Sequence, residues 1–130
     1  MDYEKAFEEI DKALTELQEE NTTTPIIVEG EKDTAALRRL EMTGDIVPFN
    51  RGQSVSDFCD QIAQQYRGVI LLTDWDWRGG RLCAHIKKHL ENRVACNTKY
   101  REVFAKHSLC RTVEGLPSWI ATLKKKITLE

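Results

Sequence analysis

The 130-residue chain is predicted to be an α/β protein with a mainly parallel sheet of four to five strands and helices on both faces. Three observations predict it. Short apolar runs alternate with segments whose apolar residues recur at helical spacing. Val69 to Leu72 is apolar at every position, as in a parallel strand covered on both sides. The connections are short, with no internal repeat and no low-complexity stretch, which leaves no room for a second domain.

Each element has a local cause. Tyr3, Phe7, Ile10, Leu14 and Leu17 lie on one side of an acidic amphipathic helix, whose stripe must rest on the rest of the chain or on a second subunit. Asn21 to Pro25 breaks it, because proline disfavours helix in the residue before it. Residues 1–24 are therefore an N-terminal helix and linker, and residues 25–130 the α/β domain with a C-terminal helix. Ile26 to Val28 is the first strand. Asp33 is expected to cap a helix carrying Ala36, Leu37 and Leu40 that stops near Gly44. Ile46 to Phe49 is the second strand, closed by the polar turn Asn50-Arg51-Gly52. Ser54 and Asp57 open a helix with Val55, Phe58, Cys59, Ile62 and Tyr66 along one side. After the third strand, Arg78 to Glu91 is helical with Leu82, Cys83, Ile86 and Leu90 inward. Val94 to Cys96 is a fourth strand, Lys99 to Lys106 a helix and Arg111 to Val113 a candidate fifth strand. In the last helix Pro117 suits the first turn and Leu116, Ile120, Leu123 and Ile127 face inward.

Composition excludes some classes. No apolar run approaches the roughly 18 residues of a membrane helix, and the N-terminus is acidic, so a cytoplasmic protein is expected. The four cysteines form no CxxC pair and read as small apolar residues in a reducing compartment. Charge is uneven: residues 1–20 hold two lysines against eight acids, whereas residues 78–130 hold twelve basic residues against four acidic. A basic final stretch is compatible with a polyanion, and equally with an ordinary solvated surface.

Chemistry concentrates where strands stop. Glu29 directly follows the first strand, and Asp74 and Asp76 follow the third. In open α/β sheets ligands bind beyond the carboxyl ends of the strands, where strand order reverses. If those strands are neighbours, the three carboxylates converge. At ~4 Å and an effective dielectric of about 20, each like-charge pair costs about 4 kcal/mol. A hard divalent cation removes that cost, and oxygen-only ligands suit Mg²⁺ or, in its place, Mn²⁺. Alternation along an extended segment points Asp74 and Asp76 the same way. Gly30, Gly79 and Gly80 would let a phosphate backbone approach.

Glu29-Gly30 after one strand and Asp74-x-Asp76-x-x-Gly79 after a later one resemble the Toprim domain. The family is shared by topoisomerases, bacterial primases, some nucleases and recombination mediators. The resemblance covers about residues 25 to 115: EGEKD at 29–33 is similar to the first motif of primases and small ribonucleases, and TDWDWRGG at 73–80 to the second, with Trp75 where small residues or proline are more usual. Asn50 and Gly52 are similar to a family Asn-Gly turn, with Arg51 between them. The resemblance implies a three-layer Rossmann-like Toprim fold, with Asp74 and Asp76 holding Mg²⁺ and Glu29 acting as general acid or base or sharing the metal. Asp33 has two roles open, second-metal ligand or helix cap.

Around these acids lie the candidates for phosphate or nucleic-acid contact: Gly30, Lys32, Asn50, Arg51, Trp75, Trp77, Arg78, Gly79 and Arg81. Trp75 and Trp77 can stack on a nucleobase or cover the sheet end, and one of them packs if they share a side. Arg78 and Arg81, at a helix start, can meet phosphate oxygens or face solvent. His85 and His89 have a zinc-compatible spacing, but no carboxylate follows at ligand distance and Cys83 lies on the apolar stripe, so no zinc site is expected. Lys124, Lys125 and Lys126 end a helix, where cations complement the dipole. Two functions follow for a monomer or homodimer, with RNA or DNA the expected partner. One is a stand-alone, Mg²⁺-dependent nuclease or phosphotransferase; Tyr3, Tyr66 and Tyr100 lie away from the motifs, which disfavours a topoisomerase. The other is a non-catalytic module that binds nucleic acid or protein.

Overall fold

The computed structural model of the protein describes residues 1–129. Ten elements follow one another: α1 (Tyr3–Asn21), β1 (Ile26–Val28), α2 (Glu31–Arg39), β2 (Ile46–Pro48), α3 (Val55–Gln65), β3 (Gly68–Leu71), α4 (Trp77–Leu90), β4 (Ala95–Asn97), α5 (Lys99–His107) and α6 (Leu116–Thr128). The four strands form one parallel sheet in the order β2-β1-β3-β4. Strand order therefore reverses between β1 and β3.

Alternation of side chains along the strands divides the interior into two cores. Ile26, Val28, Ile70 and Leu72 face one side, where α1, α2, α5 and α6 pack with Ile10, Leu17, Leu37, Phe104 and Leu123. Ile27, Val69 and Leu71 face the other, against Phe58, Ile62, Ile86 and Leu90 of α3 and α4. Helices thus cover both faces of a Rossmann-like three-layer arrangement. The apolar stripe of α1 is spent inside the chain, since Ala6, Ile10, Ala13 and Leu17 are buried against α5 and α6. Asn21 anchors its end: the side-chain amide donates to the carbonyls of Thr24 and Asp45, and its Oδ1 accepts from Gly44 N–H.

The structure departs from local expectation in three places. Asp33 is not the N-cap of α2. The helix starts at Glu31 with Gly30 as cap, and Asp33, in the first turn, accepts the Gly30 N–H at 3.1 Å. That helix also ends at Arg39, well short of Gly44, because Glu41 adopts φ +67° and Arg38 folds over to donate to the carbonyls of Met42 and Gly44. Finally, Arg111 to Val113 adds no fifth strand. Its polar backbone groups are taken instead by the loop after β3: Trp75 N–H donates to Arg111 carbonyl, and Val113 N–H donates to an Asp74 carboxylate oxygen.

Candidate functional site

Strand order sets the site. β1 and β3 lie side by side, so the segments leaving their carboxyl ends are neighbours although far apart in sequence. Glu29 Oε2 accepts the backbone N–H of Asp74 at 2.8 Å. Asp74 Oδ1 accepts the Val113 N–H at 2.9 Å. Asp76 caps α4, its Oδ1 taking the Gly79 N–H at 2.7 Å. Each of these three half-buried carboxylates therefore has one oxygen committed to a backbone N–H. Asp33 is buried beside them, its Oδ2 taken by Gly30.

Burial and mutual repulsion raise two of these carboxyls. Asp74 is pushed up to about 6, first by desolvation and then by the charges of Glu29 and Asp76, with the Val113 N–H pulling the other way. Asp33 is raised as well, by burial first and then by Asp74, against the N–H groups of Gly30 and Glu29, with Glu114 adding repulsion. Asp33 and Asp74, carboxyls that resist ionisation beside other acidic oxygens, are the donor chemistry a hard cation relieves. Among the described residues, however, no three His, Cys, Asp or Glu side chains are grouped as a metal cage. The fit is to an ion held by one or two carboxylates and completed by water and substrate oxygens, which is how Mg²⁺ is commonly bound.

The two tryptophans part company. Trp75 turns inward, its ring centroid 5.7 Å from that of Phe104 and its Nε1 donating to the Cys110 carbonyl at 2.7 Å. Trp77, the first residue of α4, is 73% exposed, with the Arg81 guanidinium 4.8 Å from its ring centroid. Gly79 is buried and its N–H belongs to Asp76; a Cβ there would lie 1.8 Å from the Asp74 carbonyl oxygen, so this glycine lets α4 pack against the acidic loop. Gly30 is different: a Cβ there would meet nothing within 4 Å, and the space beside the end of β1 is open. Lys32 is exposed on the first turn of α2. Asn50 takes φ +47° at the end of β2, donates its N–H to the Glu29 carbonyl and reaches Glu31 Oε1 at 3.4 Å. Arg51 and Arg78 are exposed, and with Trp77, Arg81, His85 and Lys88 they line a cavity of about 640 Å³ beside α4.

Sequence reasoning missed the support beneath the acidic loop. Arg101, on α5, donates from Nη2 to the Asp74 carbonyl at 2.8 Å and from Nε to the carbonyls of Thr73 and Asp74. Thr73 is fully buried and donates its hydroxyl to the Gly79 carbonyl at 2.8 Å. Nothing in the neighbourhood of Arg101 marks it out, because its partners are backbone atoms of a segment more than twenty-five residues away.

A family model described as the Toprim domain matches residues 24–106. A UPF0292 protein of Thermoplasma volcanium is 43% identical over 99 residues, covering 75% of this chain and 83% of that protein. UPF0292 proteins of Methanosarcina barkeri and Methanocaldococcus jannaschii are 31% and 32% identical, over 95% and 88% of this chain and 89% and 91% of their own lengths. Among solved structures, a protein from Aquifex aeolicus superposes with a TM-score of 0.65 at 25% identity, over 74% of this chain and 88% of that one.

Proposed function

This chain belongs to the Toprim domain family, and from that premise we propose that it is a Mg²⁺-dependent enzyme acting on the phosphodiester bonds of nucleic acid, as a nuclease. The family itself suggests metal-dependent work related to nucleic acid; the reaction is our reading. The observation that carries it is the meeting of Glu29 and Asp74 at the strand-order reversal, with Asp74 held hard to ionise first by burial and then by the charges of Glu29 and Asp76. Asp74 and Asp76 would hold Mg²⁺, or Mn²⁺ in its place, to neutralise charge developing on the phosphate oxygens. Glu29 steadies the Asp74 backbone through Oε2 and keeps Oε1 to accept or return a proton. Asp33 serves structure, returning its carboxylate to the start of its own helix. Arg51, Arg78 and Arg81 bring positive charge to the side from which a phosphate backbone would come.

A second reading has its own observation. The described residues include no three-ligand metal group, and each acid already holds a backbone N–H, as a non-catalytic binding module would need only for its fold.

The experiment uses labelled structured RNA, single-stranded DNA and duplex DNA, each with Mg²⁺, Mn²⁺ or EDTA. Cleavage should require metal and be lost in Glu29→Gln and Asp74→Asn proteins whose circular dichroism is unchanged. Cleavage surviving in both variants ends the mechanism proposed for Glu29 and Asp74, and binding with no metal-dependent cleavage favours the module.

A further inference from the structure

We propose that the cavity along α4 is a binding groove for single-stranded polynucleotide, in which Trp77 stacks on an unpaired base and the cations beyond it follow the phosphates. This deepens the reading above, on which it rests for the location of the chemistry.

The groove begins at Trp77, the first residue of the helix that Asp76 caps. Trp77, Arg81, Ala84 and Lys88 succeed one another at four-, three- and four-residue intervals, with His85 four after Arg81 and three before Lys88, which places them on one face of the helix. From Trp77 to Lys88 that face runs about 16 Å at 1.5 Å per residue. Arg51, from the turn after β2, closes the opposite wall.

The charge of this wall is uncompensated. Its lining includes Arg51, Arg78, Arg81 and Lys88 and no acidic residue, in a chain of net charge −2. Among the described residues the salt bridges are Arg93–Asp60 and Lys99–Glu16, and neither involves the groove. Four cations gathered without counter-charge repel one another unless a polyanion lies between them.

The exposed indole selects the kind of polyanion. A large aromatic left 73% exposed in a basic cavity has surface to cover, and Arg81 sits over its ring. A base stacks on such a surface only when it is not already stacked between its neighbours in a duplex. At about 640 Å³ the cavity is large enough to take a nucleotide.

The test measures binding in EDTA, where cleavage is silent. Fluorescein-labelled oligothymidylate, oligouridylate and a duplex of matched length are titrated by anisotropy and by quenching of tryptophan emission. Either single strand should bind more tightly than the duplex, and the thymidylate and uridylate arms separate DNA from RNA. Trp77→Ala should weaken single-strand binding about 5- to 150-fold, the range for loss of one stacked base, and remove most of the quenching. Lys88→Gln should flatten the slope of log affinity against log salt by about 0.7, as one lost phosphate contact on a single strand does. Lys125→Gln, at an exposed position of α6, should change neither. Tighter duplex binding, or single-strand affinity indifferent to Trp77→Ala, overturns the proposal. Groove binding without metal-dependent cleavage would leave this inference standing while the nuclease reading fails. Cleavage with affinity indifferent to Trp77 would do the reverse.

Discussion

Glu29 accepts the backbone N–H of Asp74 at 2.8 Å, across 45 residues of sequence. The bond ties the carboxyl ends of the two central strands, and it brings a second negative charge close to the Asp74 carboxylate, which is already half-buried. Position and repulsion therefore arise from the same contact.

Asp74 makes the metal-free protein less stable as pH rises. Its carboxyl is at about 6 in the fold against an ordinary 3.8, so its protonated form is the favoured one. A raised acid contributes stability that is fully present below the unfolded value and is lost as pH climbs through 6. In EDTA at pH 7.5, Asp74→Asn should be more stable than the parent by about 1 kcal/mol once solvent screening is allowed for. The gap should close at pH 4. Thermal melts at both pH values check this, and a variant less stable than the parent at pH 7.5 refutes it.

Metal and proton compete for the same oxygens, so Mn²⁺ affinity should fall by about tenfold per pH unit below 6 and level off above it. Water-proton relaxation with Mn²⁺ reads the affinity. Asp74→Asn should show weaker binding with a flattened profile over that window. A parent profile flat from pH 5 to 7.5 would place the ion elsewhere.

Gly79 and Gly30 should respond in opposite ways to the same change. Gly79→Ala drives a methyl group to within 1.8 Å of the Asp74 carbonyl oxygen, and backbone must move. A loss of about 3 kcal/mol is expected, at the upper end of overpacking costs, despite the better helix propensity of alanine. Gly30→Ala adds its methyl to open space at an extended φ of −156°, and stability should change by less than about 0.5 kcal/mol. Denaturant melts of the pair distinguish a packing role from a merely conformational one.

Arg101 should prove to be a positioning residue. Arg101→Met keeps bulk but strips the Thr73 and Asp74 carbonyls of their donors, which costs about 1–3 kcal/mol. Mn²⁺ affinity should drop with it, because the loop that carries Asp74 loses its underpinning. Arg101→Lys should recover little of either, since an ammonium does not reproduce the two-nitrogen grip. Unchanged metal affinity in a folded Arg101→Met protein would assign the residue to stability alone.

Much of this architecture was legible in the order of residues. Val69 to Leu72, apolar throughout, announces a strand buried on both faces, and Ser54 carries the short side chain that starts a helix. The places of Glu29, Asp74 and Asp76 beyond the ends of strands could be read in the sequence, and the family match spans all three. Where a residue's role depends on partners near it in sequence, a linear pattern suffices to read it.

Tertiary structure decided the rest. Trp75 and Trp77 are two residues apart and of one kind, yet Phe104 and the Cys110 carbonyl draw one inward and leave the other in solvent. Arg111 to Val113 has the composition of a strand, but its N–H and C=O groups find the loop after β3 and no sheet edge. Arg101 becomes important only because the chain folds α5 beneath that loop. Periodicity and capping are local and survive in the sequence; which distant backbone atom satisfies a buried polar group is settled by the packing of the whole chain.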